Sequence, residues 1–373
     1  MIIGVPKEIK TDEHRVSLTP AGVREFTSQG HQVLVERSAG EGSTFADANY
    51  EAMGATIVND ADDVWAASDL IMKVKEPIAA EYPRLAARNN QVLFTYLHLA
   101  ASRPCTDALI QAGNVAIAYE TVRPEDGSLP LLTPMSEVAG RMAPLMGAHH
   151  LMRSGGGRGI LVSGVPGVAA ANVVIIGAGV AGMAAAMIAV GMQANVRILD
   201  RNLERLRQID HHFGGSVATI ASSVLAVEEA CLWADIVIGA VLVVGAKAPT
   251  LVSNELVGRM AEGSVLVDIS VDQGGCFEAT RPTTHSDPTF VLNGSVFYCV
   301  ANMPGAVPAT STRALSNATL PYAMRLANLG WREAVRADPA LGEGVNVVNG
   351  SVTYAPVAEA HSMGMVTLES LMV

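Results

Sequence analysis

The sequence predicts an α/β fold with two Rossmann-like, doubly wound parallel-sheet domains, and three observations lead to this prediction. Short apolar runs alternate with helical patterns along most of the 373 residues. Half of the residues are hydrophobic, and aromatic residues make up only 5% of the chain. A glycine-rich turn in the middle of the chain joins an apolar run to a helix-forming run. Because the chain is long for a single core, we expect two domains.

The first part of the chain alternates between strand and helix patterns. The predicted strands cover residues 2–5, 31–36, 55–58, 69–74, 91–95 and 114–119, and the predicted helices cover residues 20–28, 47–53, 60–67, 78–88 and 103–112. Such alternation is typical of a parallel sheet with helices on both faces. Ligands of these sheets bind outside the carboxyl ends of the strands.

The glycine-rich turn lies in the segment Asn172-Val-Val-Ile-Ile-Gly-Ala-Gly-Val-Ala-Gly182. Gly177 would make the turn, Gly179 would let the backbone approach a pyrophosphate, and Gly182 would let the helix pack closely on the strand. The helix N-terminus supplies N–H groups and partial positive charge for the phosphates. The segment therefore predicts a dinucleotide site, the alternative being a tight turn between strand and helix with no ligand.

The next apolar run ends in Asp200, where a carboxylate can accept hydrogen bonds from ribose hydroxyls. Because this charge would repel a 2′-phosphate, Asp200 favours NAD over NADP. Arg201, Arg205 and Arg207 follow closely and leave a phosphate-binding role open. Their other interpretation is the solvated start of a helix.

A second sheet is predicted from strands at residues 216–219, 236–241, 265–269, 289–292 and 296–300, preceded by a helix over 136–152. From about residue 310 we expect a helix capped by Ser311 and bent at Pro321, a second helix around 330–337, and a weakly patterned tail. The C-terminal helix is expected to return to the first domain. The predicted domains are residues 1–130 with 310–373, which bind substrate, and residues 131–309, which bind the nucleotide, with the active-site cleft between them.

Composition and charge exclude several classes of protein. The net charge of −11 argues against binding to nucleic acid, which requires clustered positive potential. The four cysteines are far apart and suggest neither a disulfide framework nor a metal site. The N-terminus meets charge and proline too early for a signal peptide. Residues 171–192 are uncharged, but the glycine turn divides them, so we expect no membrane span and a cytoplasmic protein.

Three candidate catalytic groups follow three separate strands of the first domain. Arg15 lies after the first strand, Lys75 after strand 69–74 and His98 after strand 91–95. Cations can hold a substrate carboxylate, and a histidine can move a proton near neutral pH. The alternatives are solvated loop cations, Lys73 and Lys75 facing water on an edge strand, and a hydrogen-bonded core histidine.

The second domain offers further polar candidates after its predicted strands. Asp268 lies within a strand and is interpreted as a structural hydrogen-bond acceptor. Asp272 lies in the following loop and is better placed to meet a substrate. Asn302 ends another strand and can hydrogen-bond a carboxamide or a substrate.

Taken together, these segments resemble the bacterial NAD-dependent L-alanine dehydrogenases, which share a family with the NAD-binding part of proton-pumping transhydrogenase. The resemblance runs in order from the start of the chain to about residue 331 and leaves out the last forty or so residues. The matching segments are Gly4-Val-Pro-Lys-Glu8, Glu13-His-Arg-Val-Ser-Leu-Thr-Pro-Ala-Gly22, Val74-Lys-Glu-Pro77, Leu97-His-Leu-Ala-Ala101, Pro134-Met-Ser-Glu-Val-Ala-Gly-Arg141, Gly164-Val-Pro-Gly167, Gly177-Ala-Gly-Val-Ala-Gly182, Val267-Asp-Ile-Ser-Val-Asp-Gln-Gly-Gly275 and Ala301-Asn-Met-Pro304.

The resemblance implies a role for each matching residue. Arg15 and Lys75 would hold the substrate carboxylate and carbonyl, Met135 would close over the substrate, and Asn302 would contact it. His98 would be the acid and base, and Asp272 would steer the attacking water or ammonia. The residues that would line the NAD are Ser136, Gly177, Gly179, Val180, Gly182, Asp200, Arg205, Ser222, Val241, Asp272, Arg281 and Asn302.

The implied activity is the reversible, NAD-dependent oxidative deamination of L-alanine to pyruvate and ammonia by a homohexamer. Two alternatives stay open. One is a transhydrogenase-type subunit, which works with a membrane partner, and the other is a non-catalytic NAD-binding regulator. Another small amino acid, such as serine or glycine, is also an open choice of substrate.

Overall fold

A computed structural model describes residues 1–88, 90–242 and 248–372. Its contacts divide the chain into two compact units. Unit 1 comprises Met1–Met135 and Gly305–Val373, and unit 2 comprises Ser136–Pro304. The limits predicted from the sequence lie at 130/131 and 309/310.

The first part of unit 1 alternates between strands and helices. In chain order its elements are β1 (Ile2–Val5), α1 (Pro20–Ser28), β2 (Gln32–Glu36), α2 (Asp47–Glu51), β3 (Thr56–Val58), α3 (Ala61–Ala67), β4 (Leu70–Met72), α4 (Tyr82–Leu85), β5 (Val92–Thr95), α5 (Arg103–Ala112) and β6 (Val115–Ala118). The helix predicted over 78–88 is a single turn, because Pro83 lies at its start and only Leu85 is buried. The other predicted elements are present with ends shifted by up to two residues.

The middle of the chain supplies the elements of unit 2. They are α6 (Thr133–Leu151), β7 (Asn172–Ile176), α7 (Val180–Gly191), β8 (Asn195–Asp200), α8 (Leu203–Phe213), β9 (Val217–Ala221), α9 (Val224–Trp233), β10 (Ile236–Gly239), α10 (Asn254–Val257), β11 (Val265–Asp268), β12 (Thr289–Leu292) and β13 (Ser295–Tyr298). The first of them, the long helix α6, begins three residues before the boundary at Ser136. Side chains cap several helices, for example Asn202, whose oxygen accepts the N–H groups of Glu204 and Arg205.

The rest of the chain returns to unit 1 and completes its sheet. Its elements are α11 (Pro308–Ala337), α12 (Pro339–Glu343), β14 (Val345–Val348), β15 (Ser351–Val352), α13 (Ala355–His361) and α14 (Leu368–Leu371). The sequence prediction missed β14 and β15, which pair as an antiparallel hairpin and join the edge of β6. These two strands are too short to show a clear alternation of apolar and polar residues. Their extended conformation is explained by pairing with the open edge of the sheet at β6.

One detail predicted for α11 is wrong and another is confirmed. The helix begins at Pro308 and Val307 precedes it, so Ser311 lies inside the helix and is buried there rather than capping it. The backbone leaves helical dihedral angles at Gly330 (φ 72°, ψ 159°), where the second helix was predicted to begin, and Pro321 lies inside the first helix. A glycine tolerates this left-handed φ at little cost, which makes it the easier place for the break.

Both sheets have the strand order of a doubly wound fold, which confirms the predicted fold class. Among the described residues, the unit 1 sheet runs β15-β14-β6-β5-β4-β1-β2-β3 and the unit 2 sheet runs β12-β13-β11-β10-β7-β8-β9. The pairs from β1 to β6 and from β7 to β11 are parallel. In each sheet the order reverses beside the first strand, and ligands of such folds bind at the carboxyl edge there.

A buried ionic cluster lies beside β4 in unit 1. The Nζ atom of Lys73 is 3.0 Å from a carboxylate oxygen of Glu8 and 2.7 Å from one of Glu81. Lys73 is only 1% exposed. The alternative that Lys73 and Lys75 face water on an edge strand is therefore wrong, since β4 is a central strand and both side chains are buried.

Replacing Lys73 should destabilise unit 1 strongly. In Lys73→Met the two carboxylates would lose the cation that compensates their burial, and we expect the free energy of unfolding to fall by about 3–5 kcal/mol. Urea denaturation measures this change. The matched control is Asp107→Asn, which removes the exposed ion pair with Arg103 and should cost about 1 kcal/mol or less. Equal midpoints for Lys73→Met and the unaltered chain would contradict the stabilising role of the cluster.

Candidate active site

The three candidate catalytic residues of unit 1 follow neighbouring strands of its sheet. Lys75 comes three residues after β4 and His98 three residues after β5, and Arg15 lies in the connection that leaves β1. Strands β1, β4 and β5 are adjacent and parallel. Their carboxyl ends therefore open on the same edge, where β1 and β4 form the point of reversed strand order.

Arg15 is buried and paired with a carboxylate. Its Nε donates to one oxygen of Glu13 at 2.7 Å and its Nη2 to the other at 2.5 Å. Burial alone would lower the pKa of Arg15, but the hydrogen bonds and charge of Glu13 outweigh it, so the pKa lies above its ordinary value. Nη1 lies 3.1 Å from Sδ of Met135. The pair keeps the guanidinium ionised and oriented.

The backbone around Lys75 is held by the cluster that contains Glu8. One oxygen of Glu8 accepts the N–H of Val74 at 2.6 Å and that of Lys75 at 3.3 Å. The Lys75 carbonyl accepts the hydroxyl of Thr95 at 3.1 Å, which ties it to β5. The Lys75 side chain is 9% exposed. A cation on a well-held, buried backbone suits the binding of a small anion.

His98 is half-buried in an unusual backbone conformation. Its φ of 48° and ψ of 36° lie in the left-handed region, which is uncommon for residues other than glycine. The imidazole stacks on the ring of Tyr96 with 6.0 Å between centroids and 20° between planes. The Tyr96 hydroxyl donates to the Leu131 carbonyl at 2.6 Å, which fixes that ring. His98 is therefore a half-buried histidine whose ring is positioned by stacking, and it is not a core histidine.

Electrostatic interactions connect the three residues. Burial raises the pKa of the Glu76 carboxyl, but its hydrogen bond with Lys10 and the positive potential of Lys75 and His98 outweigh burial and hold the pKa below its usual value. Burial raises the pKa of Tyr96, and the positive charge of Arg15 partly opposes that rise. Lys75 and His98 therefore act on one carboxyl, that of Glu76, and Arg15 acts on Tyr96, the ring on which His98 stacks.

Sequence reasoning missed the carboxylates that hold these residues. Glu8 and Glu13 lie in the segments that carried the resemblance, and Glu120 follows β6. The available signal was a glutamate within an apolar or cationic segment. Such a glutamate indicates a buried ion pair or hydrogen bond, because carboxylates are rarely buried without a partner. Their partners could not be assigned without the fold.

In unit 2 the glycine turn has the geometry that the sequence predicted. Gly177 has a φ of 108°, and a side chain there would meet the Ala240 carbonyl oxygen at 2.6 Å. A side chain at Gly182 would lie 1.8 Å from the carbonyl oxygen of Gly177. Neither site leaves room for a β-carbon, since the obstacle in each case is backbone.

Gly179 differs from the other two glycines because it is open. It precedes α7 with an ordinary φ of −73°. Among the described residues, a β-carbon there would have only Nη1 of Arg205 within 4 Å, at 3.5 Å. The N-terminus of α7 directs N–H groups to this space, and an arginine borders it. These residues fit the pyrophosphate of a dinucleotide.

Asp200 lies beside this turn at the end of β8. One of its oxygens accepts the N–H of Ala178 at 2.6 Å, and the other accepts the N–H of Asn202 at 2.8 Å. Arg207 pairs with Glu204 at 2.9 Å on the exposed surface of α8. The carboxylate is thus oriented at the turn, whereas Arg207 is occupied elsewhere.

The other predicted nucleotide residues are distributed around unit 2. Ser222 directly follows β9, Val241 lies two residues after the end of β10, and Val180 begins α7. Ser136 lies in the first turn of α6. Arg281 lies 4.3 Å above the ring of Phe290 on the edge strand β12, away from the glycine turn.

Two residues from the segments after β11 and β13 complete the predicted set. Asp272 is exposed in a 3₁₀ turn over Val271–Gln273. Asn302 has a φ of 64°, and its carbonyl oxygen lies 3.2 Å from Nε2 of His285. The neighbouring Asp268 is fully buried and accepts hydrogen bonds from Ser270, Cys276 and Thr280, which agrees with its predicted structural role.

Within the described ranges, no group of three or more His, Cys, Asp or Glu residues is arranged to hold a metal ion. None of the helices that the structure describes has both the length and the apolar character needed to cross a bilayer.

Comparison with known proteins identifies the class to which the chain belongs. Residues 4–139 match the family model described as alanine dehydrogenase/PNT, N-terminal domain, and residues 143–355 match the corresponding C-terminal domain. The chain therefore belongs to the alanine dehydrogenase/PNT family, whose members are oxidoreductases with a pyridine nucleotide cofactor. The resemblance noted in the sequence is confirmed.

Individual relatives narrow this class. The chain is 57% identical to the alanine dehydrogenase of Mycolicibacterium smegmatis over 359 residues, 96% of each chain. It is 59% identical to that of Mycobacterium tuberculosis over 358 residues, again 96% of each chain. It is 52% identical to that of Halomonas elongata over the full length of both chains.

Solved structures give the same result. An L-alanine dehydrogenase matches with a TM-score of 0.93 and 49% identity, covering 97% of this chain and 99% of that one. A transhydrogenase from Sinorhizobium meliloti matches with a TM-score of 0.79 but only 23% identity, covering 95% of this chain and 99% of that one. The second similarity shows a shared fold alone.

Adding a methyl group at Gly182 should disrupt unit 2. The β-carbon of Gly182→Ala would meet backbone, and overpacking typically costs about 1–3 kcal/mol, so we expect a loss at the upper end of that range in thermal or urea unfolding. The control is Gly191→Ala at the other end of α7, where no described atom outside the local helix lies within 4 Å of the new methyl. This control should be neutral or slightly stabilising. Equal stability of the two variants would show that the close approach at Gly182 is unimportant.

Proposed function

We propose that this chain catalyses the NAD-dependent oxidative deamination of L-alanine to pyruvate and ammonia, and the reverse reductive amination. The observation that carries the proposal is the placement of Arg15, Lys75 and His98 at one sheet edge in a member of the alanine dehydrogenase/PNT family. Two cations suit a substrate with a carboxylate, and an imidazole suits proton transfer near neutral pH.

Arg15 and Lys75 are proposed to hold the substrate. The carboxylate of alanine keeps its charge throughout the reaction, so these cations mainly position it. Glu13 supports this role because it engages Nε and Nη2 of Arg15 and so orients the guanidinium. Lys75 would also stabilise negative charge on the carbonyl oxygen as pyruvate forms. Met135, whose sulfur lies beside Arg15, would cover the methyl side of the substrate.

His98 is proposed to move the protons of the hydrolytic half of the reaction. When bound between the residues proposed to hold it, NAD would supply the acceptor for the hydride that leaves the α-carbon of alanine. Once the ammonium group has lost one proton to solvent and the α-carbon its hydride, the substrate would be a protonated imine, and an imidazole nitrogen of His98 would accept a proton from the attacking water. The same nitrogen would return the proton to the departing ammonia. Asp272 is proposed to steer the attacking water or ammonia.

NAD is the proposed nucleotide. The support is the Asp200 carboxylate, which is oriented by the N–H groups of Ala178 and Asn202 and would repel a 2′-phosphate. The residues proposed to line the nucleotide are Ser136, Gly177, Gly179, Val180, Gly182, Asp200, Arg205, Ser222, Val241, Asp272, Arg281 and Asn302. Residues 136–304 would form the nucleotide-binding domain and the remainder the substrate domain. A cytoplasmic homohexamer is the form that the family resemblance implies.

The transhydrogenase alternative has less support. Its structural match is distant, and exchange of hydride between two nucleotides needs no pair of cations for a small carboxylate. A non-catalytic regulator would likewise have no use for a held histidine beside those cations.

The proposed reaction can be tested by following absorbance at the wavelength of NADH. We expect reduction of NAD on addition of L-alanine, a much weaker response with NADP, and NADH oxidation with pyruvate and ammonium. D-alanine and L-lactate are the controls, since they change the handedness or the amino group alone. No reduction with any L-amino acid would refute the proposal, and faster reduction with serine or glycine would change the substrate.

His98→Ala should lower turnover without weakening nucleotide binding. Loss of a general acid and base typically reduces kcat by about 100-fold or more. Nucleotide binding should be unaffected, because all the residues proposed to line the nucleotide lie in unit 2. Steady-state kinetics and fluorescence titration with NADH measure the two effects. His31→Ala is the matched control, because His31 is a surface histidine that contacts Asn328 and the N-terminus. Undiminished turnover in His98→Ala would remove His98 from the mechanism.

A further inference from the structure

The three proposed substrate-site residues share a feature in their backbone. In each case the backbone N–H donates to the carboxylate of a glutamate that is buried or half-buried. The pairs are Arg15 with Glu13 at 3.0 Å, Lys75 with Glu8 at 3.3 Å, and His98 with Glu120 at 2.7 Å. Glu8 and Glu13 also pair with buried cations, so their removal would change several interactions at once. Glu120 is the case in which the backbone contact can be studied most directly.

Glu120 continues the hydrogen bonding of the sheet beyond the end of β5. The ladder between β5 and β6 ends with Thr95 opposite Ala118. Two residues further along each strand, the oxygens of Glu120 accept the N–H of Leu97 at 3.1 and 3.2 Å. One of them also accepts the N–H of His98. The carboxylate thus takes the place that a strand carbonyl would have, because buried N–H groups require an acceptor.

The contact occurs where the backbone needs support. His98 has a left-handed φ of 48°, which is unfavourable for a residue with a β-carbon. A hydrogen bond from the His98 N–H group to a well-placed side-chain oxygen offsets part of this cost. On its other side, the His98 ring is stacked on Tyr96. The left-handed turn and the stacking together define where the imidazole lies.

We propose that Glu120 is a positioning residue for the reaction: its carboxylate holds the left-handed backbone of His98 and thereby places the imidazole. This inference rests on the proposed function of His98. Glu120 acts through the backbone of His98 and is not proposed to contact a reacting atom. The role depends on where its oxygen lies more than on its charge.

Two conservative substitutions separate position from charge. Glu120→Gln removes the charge but keeps an oxygen at the same reach, whereas Glu120→Asp keeps the charge and withdraws the oxygens by one methylene. We expect Glu120→Gln to retain kcat within about threefold, and Glu120→Asp to lose about 10–100-fold, since a displacement of about 1 Å at a catalytic group can cost that much. The KM for L-alanine should change little in either variant, because Arg15 and Lys75 hold the substrate.

A double variant tests whether Glu120 acts through His98. His98→Ala combined with Glu120→Asp should be no slower than His98→Ala alone, because a misplaced methyl group has no catalytic consequence. The control for stability is Asp69→Ala, which removes a carboxylate that accepts the N–H of Ile2 at 2.7 Å at the opposite end of the sheet. Thermal unfolding and NADH titration accompany each variant.

The outcomes distinguish this inference from the proposed function. A low kcat in Glu120→Gln with a normal kcat in Glu120→Asp would show that charge and not position matters. A double variant that is slower than His98→Ala alone would show that Glu120 does not act through His98. Normal kcat in both single variants would also overturn the inference. If His98→Ala itself keeps full turnover, the proposed function of His98 fails first. If one of the two variants Glu120→Gln and Glu120→Asp does not fold, kcat and KM for L-alanine are still compared between the other variant and the unaltered chain.

Discussion

Charge buried in unit 1 requires a compensating charge nearby, and this constraint shapes the whole candidate site. Arg15 is 2% exposed and Lys73 is 1% exposed, and leaving either charge there without a partner would be very unfavourable. Glu13 compensates Arg15, and Glu8 with Glu81 compensates Lys73. The same carboxylates also accept backbone N–H groups. Ionic compensation and backbone placement are therefore carried out by the same carboxylate groups.

Strand order decides which residues can share this environment. Arg15, Lys75 and His98 are far apart in the chain, but they follow three adjacent parallel strands. Because parallel strands end on the same edge, the loops that follow them meet there. The order reverses between β1 and β4, so the connections leave to opposite faces and leave space at that edge.

In unit 2 the constraint is steric and local. Gly177 and Gly182 approach backbone carbonyls so closely that any side chain would collide. The contact at Gly182 lies within the turn itself, and the contact at Gly177 is with Ala240, the residue that follows β10. This explains why a short sequence motif was sufficient to predict the turn, its glycines and the acid that follows. The fold of unit 1 has no comparable local motif, and its predictions came from the alternation of strands and helices.

Local pattern therefore determined most strands, most of the longer helices, the glycine turn and the strand-end positions of Arg15, Lys75 and His98, because each depends on residues close in sequence. Tertiary structure decided what depends on partners distant in sequence. The hairpin of β14 and β15 exists because β6 offers an open edge, and Ser311 lies inside a helix because its neighbours pack on unit 1. The pairing of Glu120 with His98 and of Lys73 with Glu8 likewise required the fold, since a carboxylate in a sequence does not reveal which backbone or cation it will meet.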